Sequence, residues 1–525
     1  MTITFRSAML ALCAACLVFA DNYPRQNGID AQHYVIRIAL TDENDAVAGE
    51  TTVTLRFVKE GVREFALDLA QPMAVDAVTE RAAALRYTHD KDRLTIALES
   101  APAQGSLHEY TVRYHGVPAN GLRALKNKFG ERCFFSQNWP DLARQWVPMI
   151  DHPYDKATSE FLVTAPAKYQ VIANGLLQEE IDLGDGRRMT HWKQSVPIAS
   201  WLNNIGVAQF AALHFGTAAG VPLQTWVFPK DRDAGITTFN DASRKSIEFF
   251  NDHIGPYPYE KLANVEIGEN GGGMEHASAI FYGQNAVNGR PALGLVSHET
   301  AHQWFGDSVT EKDWDDVWLS EGFATYFAAL TTEHYEGRDA FVNQMKRSRS
   351  GIFTTEKRLQ GVAVVQTKEW KGIPNGIVYQ KGGWSLHMLR MQIGTDKFWA
   401  GIREYYRRYR DSNASTADFQ AVMEEVSGAD LGWFFRQWLY RPGSPVVDGS
   451  WRYDAASGKV EIELTQTQLG DPYRLPLEIA IGDKIEKVEL TQKQQKFRFA
   501  ASKDPATVVL DPNVWLLIDT HFTKK

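Results

Sequence analysis

Residues 298–302 read His298-Glu299-Thr300-Ala301-His302, and a further glutamate, Glu321, follows in the segment Trp318-Leu319-Ser320-Glu321-Gly322. Two histidines four positions apart point from one face of an α-helix, so both imidazoles can reach the same metal ion. A carboxylate from a following helix completes three protein ligands, and the fourth tetrahedral position stays open for water, as in catalytic zinc sites. The stretch therefore predicts one Zn²⁺ per chain held by His298, His302 and Glu321, with Glu299 as the general base beside the water.

The sequence around this motif favours buried helices. The preceding segment 292–297 is apolar, and the run from Gly322 to Leu330 places apolar residues at helical spacing. The alternative interpretation is a solvated or core helix that carries two histidines without a metal. Unpaired histidine and glutamate side chains would be costly in so apolar a helix, which favours the zinc site.

The composition is that of a large globular protein without the charge pattern of a nucleic-acid-binding protein. The chain has 525 residues, of which 44% are hydrophobic and 23% charged, and its formal net charge is -8. The length exceeds one ordinary hydrophobic core and suggests several domains. Because no Lys/Arg-dense run offsets the negative charge, we expect no nucleic-acid partner. Beyond the N-terminus no segment is long and apolar enough to be a transmembrane helix, so we expect no membrane span.

The N-terminus has the pattern of a secretory signal peptide. An apolar run at residues 9–19 ends in Val18-Phe19-Ala20, and we expect cleavage after Ala20. A lipoprotein signal is an alternative, because Cys13 and Cys16 lie in the apolar run. Both cysteines leave with the signal peptide, so the mature chain would keep one cysteine and form no internal disulfide. We therefore expect a secreted or periplasmic protein.

Strand and helix patterns divide the chain into three parts. From about residue 27 to 210 the sequence alternates or carries β-branched residues, as strands do. Helical periodicity takes over after about residue 241, and strand patterns return from 446 to 518. We predict a multidomain α+β protein with a signal peptide at 1–20, an N-terminal β domain at 21–210, a mainly helical domain with the zinc motif at 211–443 and a small β domain at 444–525.

Three further motifs accompany the zinc motif. They are Gly272-Gly273-Met274-Glu275-His276, then Val378-Tyr379-Gln380-Lys381-Gly382, and finally Ser136-Gln137 with Ala143-Arg144 and Asp151-His152-Pro153. Together the four motifs resemble the gluzincin zinc aminopeptidases, the family that includes aminopeptidase N and the leukotriene hydrolase. The resemblance covers nearly all of the mature chain. It implies an N-terminal β-saddle, a thermolysin-like, mainly helical catalytic domain and a small C-terminal β-sandwich. Many members continue into a large helical domain that would begin about where this sequence ends, so we expect a more open active site.

The resemblance also implies roles for individual residues. An aminopeptidase must recognise the ammonium at a chain end, and a carboxylate near the zinc binds it by a charge-assisted hydrogen bond. Glu275 matches the family position that does so, and we expect Gln137 to help it. Tyr379 matches the tyrosine that donates to the developing oxyanion. The backbone ahead of Glu275 is expected to approach an extended substrate through Gly272, Gly273 and Met274.

Two positions depart from the family pattern. Trp139 stands where many members have a second amine-binding glutamate, so the amine site would have one carboxylate and one amide. Trp139 either walls the first substrate pocket or packs in the core. His276 replaces the usual asparagine, and we interpret it as a structural or supporting residue rather than a further ligand. Asp307 and Asp316 are candidate partners for the ligand histidines, which usually need one, but we expect at least one of the two to lie at the surface.

The sequence thus predicts a secreted zinc metallo-aminopeptidase that hydrolyses the N-terminal peptide bond of peptides with a free amine. An epoxide-type small-molecule hydrolase or an endopeptidase on the same zinc site is the alternative. A third hypothesis is a non-catalytic binding protein that keeps the fold. Free and N-acetylated peptides separate an aminopeptidase from the alternatives, and zinc analysis with one generic aminoacyl amide tests the third hypothesis.

Overall fold

The computed structural model describes residues 21–365 and 375–525. The predicted signal peptide at residues 1–20 therefore lies outside the described residues. In the described chain an N-terminal region rich in strands precedes a region of helices, and strands return at the C-terminus. This order confirms the predicted multidomain α+β class.

The N-terminal part consists of three β-sheets. Its strands are β1 (Ile29–Ala39), β2 (Val47–Phe57), β3 (Glu64–Asp68), β4 (Ala74–Glu80), β5 (Ala83–Ala84), β6 (Arg86–Asp90), β7 (Arg93–Ala97), β8 (Leu107–Gly116), β9 (Leu122–Lys126), β10 (Arg132–Ser136), β11 (Lys156–Pro166), β12 (Gln170–Ala173), β13 (Leu176–Asp182), β14 (Arg187–Ala199) and β15 (Ile205–Ala208). The largest sheet has eight strands in the order β13-β14-β11-β1-β2-β8-β4-β5. The other two have the orders β3-β7-β6 and β12-β15-β10-β9. Burial alternates along β11, the strand that begins at Lys156 beside the helical part.

The central part is mainly helical. Its helices are α1 (Arg232–His253), α2 (Leu293–His302), α3 (Trp318–Glu336), α4 (Arg338–Arg358), α5 (Gly382–Ile393), α6 (Thr395–Tyr409), α7 (Thr416–Ser427) and α8 (Gly432–Phe435), with π-helical turns at Gly376–Lys381 and Arg436–Tyr440. Most residues of helices α2 and α3, which carry the zinc motif, are buried because their apolar residues pack in the core between the other helices. Among the described residues, none of the helices is both long enough and apolar enough to cross a membrane.

Two small sheets accompany these helices. Their strands are β16 (Ala211–Ala218), β17 (Val221–Val227), β18 (Leu262–Ile267), β19 (Gly273–Met274), β20 (Ala279–Gly283), β21 (Val309–Glu311) and β22 (Ser412–Ala414). The first five form one sheet in the order β16-β17-β18-β20-β19, so β19 is an edge strand. Met274 on this edge packs against both hydrophobic cores, one under the N-terminal sheets and one among the helices. The segment that carries Glu275 therefore lies where the two parts meet.

The C-terminal strands form two further sheets. The strands are β23 (Val446–Asp454), β24 (Lys459–Gln466), β25 (Leu475–Ile481), β26 (Lys484–Leu490), β27 (Gln494–Ala500), β28 (Val508–Leu510) and β29 (Asp519–Lys524). Their orders are β27-β24-β23-β29 and β26-β25-β28. Alternate residues of β24 and β25 are buried, and they belong to the same core as the helices. The C-terminal part is thereby fixed to the helical part by a continuous apolar contact.

Candidate active site

Helices α2 and α3 bring the three predicted zinc ligands together. His298 and His302 lie one turn apart on α2, and their Nε2 atoms are 3.2 Å apart. Glu321 lies in the first turn of α3, and its Oε2 atom is 3.5 Å from His298 Nε2 and 3.3 Å from His302 Nε2. The ligand atoms of these three residues are close enough to hold one metal ion.

The spacing and the chemistry of this set fit zinc. Tetrahedral ligands at about 2.0–2.1 Å from a zinc ion stand about 3.3–3.4 Å from one another, close to the distances found here. Glu321 Oε2 is buried and has no hydrogen-bond partner among the described residues. A buried anionic oxygen without a donor is costly, and a cation bound between it and the two imidazoles removes that cost. Two imidazole nitrogens with one carboxylate oxygen are a set that zinc prefers.

Ser320, rather than an aspartate, orients His302. Its Oγ atom lies 2.9 Å from His302 Nδ1, and both side chains are buried. A ligand histidine that binds through Nε2 carries its proton on Nδ1, so Nδ1 donates to this hydroxyl. The two aspartates do not serve as the expected partners, and the expected surface placement of at least one is also wrong, since both are buried: Asp307 accepts from Gln303 Nε2 at 2.8 Å and Asp316 accepts from Thr416 Oγ1 at 2.6 Å. Sequence spacing alone could not identify Ser320, although it directly precedes the ligand Glu321.

Glu299 lies on α2 against the edge strand β19. Its side chain is 4% exposed, and burial, with the nearby charge of Glu275, raises its pKa well above the ordinary value. The backbone of Gly273 donates a hydrogen bond to it. A Cβ atom at Gly273 would approach Cγ, Cδ and Oε1 of Glu299 to less than 3.0 Å, so a side chain here would displace the Glu299 carboxylate or the strand. In contrast, a Cβ at Gly272 would meet nothing within 4 Å.

Glu275 is the second buried acid of the site. It is 5% exposed, its Oε1 lies 3.9 Å from His302 Nδ1, and burial raises its pKa to about 6. Its backbone carbonyl accepts from Gln303 Nε2 at 2.8 Å, which ties the segment to the residue after His302. Within the described residues no lysine or arginine forms an ion pair with Glu275, Glu299 or Glu321. The three carboxylates therefore lack a cationic partner from the protein other than the imidazoles.

Tyr379 lies directly beside the ligand set. Its hydroxyl donates to Glu321 Oε1 at 2.5 Å, and its ring is nearly parallel to that of His298 with centroids 6.1 Å apart. It belongs to the π-helical turn at Gly376–Lys381, a local distortion that is frequent at functional sites. Burial and the charge of Glu321 raise the pKa of Tyr379, so the phenol stays protonated and remains a donor.

Gln137 and Trp139 follow strand β10 in one loop. The Trp139 backbone N–H donates to Gln137 Oε1 at 2.9 Å, so the amide oxygen is partly used within its own loop. Trp139 is partly buried and packs edge-on against Trp314, with ring centroids 6.0 Å apart. Trp314 lies in the turn that leads into α3, so core packing accounts for part of the Trp139 surface. The role of Gln137 in binding an amine stays a prediction.

His276 is a buried, neutral imidazole outside the ligand set. It has no exposed surface, and neither ring nitrogen has a hydrogen-bond partner among the described residues. Its ring packs edge-on against Phe281, and burial lowers its pKa to about 3. These contacts agree with a structural role.

Comparisons with known proteins bear on the whole chain. The model of the Peptidase M1 N-terminal domain matches residues 30–202, and that of the Peptidase family M1 domain matches residues 239–438. A solved M1 zinc metallopeptidase from Deinococcus radiodurans superposes with a TM-score of 0.70 at 24% identity, covering 81% of this chain and 97% of that chain. This likeness shows the fold.

Curated relatives extend the comparison. The chain is 27% identical over 367 residues to the glutamyl aminopeptidase of Mus musculus. The aligned region covers 66% of this chain and 39% of the relative. It is 27% identical over 407 residues to the Tricorn protease-interacting factor F2 of Thermoplasma acidophilum. In this case the aligned region covers 71% of this chain and 49% of the relative. The aligned part is thus less than half the length of either relative. The two family models together match most of the chain, including the zinc motif, and the chain therefore belongs to the M1 peptidase family.

Proposed function

We propose that this chain is a secreted zinc metallo-aminopeptidase that hydrolyses the N-terminal peptide bond of peptides with a free amine. One observation carries the proposal: buried Glu321 Oε2, without a hydrogen-bond partner among the described residues, faces the Nε2 atoms of His298 and His302 at 3.5 and 3.3 Å. Membership of the M1 family supports the same chemistry.

A zinc ion held by His298, His302 and Glu321 would lower the pKa of a water molecule and polarise the scissile carbonyl. Glu299 takes the proton of the attacking water and later delivers it to the leaving amine, so that one carboxylate serves first as base and then as acid. Its raised pKa suits a proton acceptor that must also release the proton as an acid. Tyr379, whose hydroxyl donates to Glu321 Oε1 in the structure, turns this proton to the carbonyl oxygen as negative charge develops there.

Glu275 makes the enzyme select chain ends. Its carboxylate binds the substrate ammonium by a charge-assisted hydrogen bond and so places the first peptide bond beside Glu299. Gln137 supplies one further polar group. The backbone of Gly272, Gly273 and Met274 pairs with the extended substrate, a role that the edge position of β19 in its sheet makes available.

The finer organisation belongs to the same proposal. We infer that the N-terminal sheets form the saddle, that the helical part is thermolysin-like and that the C-terminal sheets form a sandwich, with boundaries near residues 210 and 443. The signal peptide at residues 1–20 would direct the protein to the periplasm or the exterior. Because several relatives are named glutamyl aminopeptidase, an N-terminal glutamyl residue is the first side chain to test.

The test combines zinc analysis with a panel of aminoacyl-amide substrates, run with and without chelator. We expect one zinc ion per chain, loss of hydrolysis on chelation and recovery on adding zinc. Glu299→Gln should keep its zinc and lose about 10²–10⁴-fold in kcat. Glu266→Gln is the matched control, since Glu266 is equally buried but pairs with Lys128 away from the site. A zinc-loaded Glu299→Gln variant with the wild-type rate would falsify the mechanism.

Blocked substrates separate the remaining activities. An aminopeptidase loses an N-acetylated peptide, because acetylation removes the ammonium that Glu275 binds. An endopeptidase cleaves free and acetylated peptides alike, whereas an epoxide-type hydrolase opens epoxides and spares both. Retained cleavage of the acetylated peptide would therefore refute the role of Glu275 while leaving the zinc site intact.

A further inference from the structure

The segment between the last histidine ligand and the glutamate ligand has contacts that the mechanism above does not use. We call residues 303–317, which join α2 to α3, the connector. Its path determines where Glu321 Oε2 lies relative to the two imidazoles, since His302 ends α2 and Glu321 lies in the first turn of α3. Within the connector, β21 pairs in parallel with β22 of the helical part.

Lys156, the first residue of β11 in the N-terminal part, reaches across to the connector. Its ammonium donates to the carbonyl oxygens of Asp307 at 2.9 Å and Ser308 at 2.7 Å, and lies 3.4 Å from that of Ser412 on β22. One side chain thus binds two successive connector carbonyls and the strand that pairs with the connector. Asp307, Glu311 and Asp411 are the acids whose charges act on this ammonium.

A second contact lies next to the first. Asn413 on β22 donates through Nδ2 to Pro153 O at 2.8 Å and to Glu311 O at 3.2 Å. The N-terminal part therefore contacts the connector directly through Lys156. It also contacts the connector indirectly, because Asn413 joins the carbonyl of Pro153 to that of Glu311. The segment behind these contacts is itself fixed, because the buried Asp151 accepts from Arg144 Nε at 3.0 Å and Ser200 Oγ at 2.7 Å.

The carbonyls that Lys156 binds follow directly on Gly306, which touches the ligand set. Gly306 has φ +120°, and a Cβ there would lie 3.1 Å from His302 Nδ1 and overlap Ser320 Oγ. The backbone N–H of Asp307 donates to His302 O at 3.0 Å. A shift of Asp307 or Ser308 would therefore move the backbone that packs on His302 and Ser320.

We propose that Lys156 is a positioning residue for the metal centre, acting through the connector to keep Glu321 in reach of both histidines. The inference rests on the zinc site of the proposed function and extends it to the N-terminal part. It gives the Asp151-His152-Pro153 motif a physical role, since the motif carries the Pro153 carbonyl and leads directly into Lys156. Burial lowers the pKa of Lys156 to about 8, so the side chain is largely an ammonium at neutral pH.

The experiment compares zinc affinity in full-length Lys156→Met, Lys156→Arg and Asn413→Ala. Zinc dissociation constants come from competition with a chromophoric chelator, and the thermal midpoint of the zinc-free protein is measured alongside. Lys261→Met is the matched control, because Lys261 also bridges the two parts, through Ala173 O at 3.1 Å and Ser278 O at 3.2 Å. Its ammonium, however, binds no connector carbonyl and reaches the connector only through the Ser278 N–H, which donates to Gln303.

We expect Lys156→Met to raise the zinc dissociation constant about 10-fold or more, as loss of an outer partner of a metal site does. Asn413→Ala should act in the same direction but less, and Lys156→Arg should recover part of the loss. Lys261→Met should leave zinc affinity within about twofold of the wild type, whatever it does to the thermal midpoint.

Two results would overturn the proposal: wild-type zinc affinity in Lys156→Met, or an equal loss of affinity in Lys261→Met. Should Lys156→Met fail to fold, Lys156→Arg and Asn413→Ala decide, and wild-type affinity in both would overturn it as well. Failure of the wild-type chain to bind zinc would instead reject the proposed function, so the two failures are distinguishable.

Discussion

Substitution of Gly273 tests whether the position of Glu299 limits the reaction. A Cβ at this position would come within 3.0 Å of three Glu299 side-chain atoms, whereas ordinary contact begins near 3.4 Å. Glu299 is buried on α2, and the atoms that the new Cβ would meet belong to the end of its side chain. In Gly273→Ala either the carboxylate or strand β19 must therefore move by a distance on the order of 1 Å.

The expected loss follows from that displacement. A misplacement of about 1 Å at a reacting group costs on the order of 100-fold in rate, and general base catalysis as a whole supplies about 10²–10⁴-fold. We therefore expect kcat to fall about 100-fold, equivalent to about 2.7 kcal/mol of barrier. Zinc affinity should stay near the wild-type value, since a Cβ at Gly273 would meet none of the three ligands among its nearest atoms.

The assay is steady-state hydrolysis of an aminoacyl amide by zinc-loaded protein, with zinc content measured on the same samples. Gly271→Ala is the control, because Gly271 lies two residues away and a Cβ there would meet nothing within 4 Å. Its kcat should equal that of the wild type. A zinc-loaded Gly273→Ala variant with unchanged kcat would refute the reasoning, since Glu299 would then be displaced without consequence.

Three further predictions concern the same site. Glu275→Gln should raise KM for free-amine substrates about 10–100-fold with a smaller effect on kcat, because a hydrogen bond to a charged group contributes about 1.5–3 kcal/mol; equal losses in kcat and kcat/KM would contradict an anchoring role. Tyr379→Phe should lower kcat about 10²–10³-fold while zinc stays bound, as expected for an oxyanion donor, and zinc loss would indicate a ligand-supporting role instead. His276→Leu should make the zinc-free protein less sensitive to acid. The pKa of His276 in the folded state is about 3, below the ordinary 6.5. The free energy of unfolding therefore decreases as pH falls from 6.5 towards 3, by about 2 kcal/mol between pH 7 and 5. Urea unfolding at the two pH values measures this difference, and an unchanged pH dependence in the variant would contradict it.

The cluster of His298, His302 and Glu321 could be predicted from the sequence because its arrangement is mostly a local property of helices. The spacing of His298 and His302 fixes both imidazoles on one face of α2, whatever surrounds the helix. The prediction that Glu321 joins the two histidines required one further assumption, namely that a second helix begins near Glu321 and packs on the first. The structure meets that assumption, since Glu321 lies in the first turn of α3.

The partner of His302 could not be predicted, because it depends on the path of the connector. Asp307 and Asp316 have the right chemistry, but they accept hydrogen bonds from Gln303 and Thr416 rather than from a histidine. Ser320 reaches His302 instead, because Gly306 leaves space beside its hydroxyl. These contacts join residues up to about a hundred positions apart in the chain, and no periodicity encodes them.

The sequence predicted a mainly helical central part and did not indicate the five-stranded sheet beside the helices. Strand β18 intersperses its apolar residues with the buried polar residues Asn264 and Glu266, and β20, which is buried along its whole length, is a short continuous apolar run without alternation. Such runs cannot be distinguished from buried helix by periodicity alone. The edge strand β19 is two residues long, too short for any pattern, yet it positions Gly273 against Glu299.

The charges of the site link the binding of the zinc ion to the binding of the substrate ammonium. Three buried carboxylates, those of Glu275, Glu299 and Glu321, face two imidazoles, and no lysine or arginine of the described residues pairs with them. Burial is the largest cause of the raised pKa of Glu275 and Glu299, and the pKa of each is raised further by a neighbouring acid. A zinc dication and a substrate ammonium are the two cations that the proposed reaction brings. Binding them restores the ionised forms that the mechanism needs, and the full set of charges is balanced when metal and free amine are both present. A substrate without the ammonium would leave Glu275 uncompensated, which is the electrostatic reason to expect discrimination against blocked peptides.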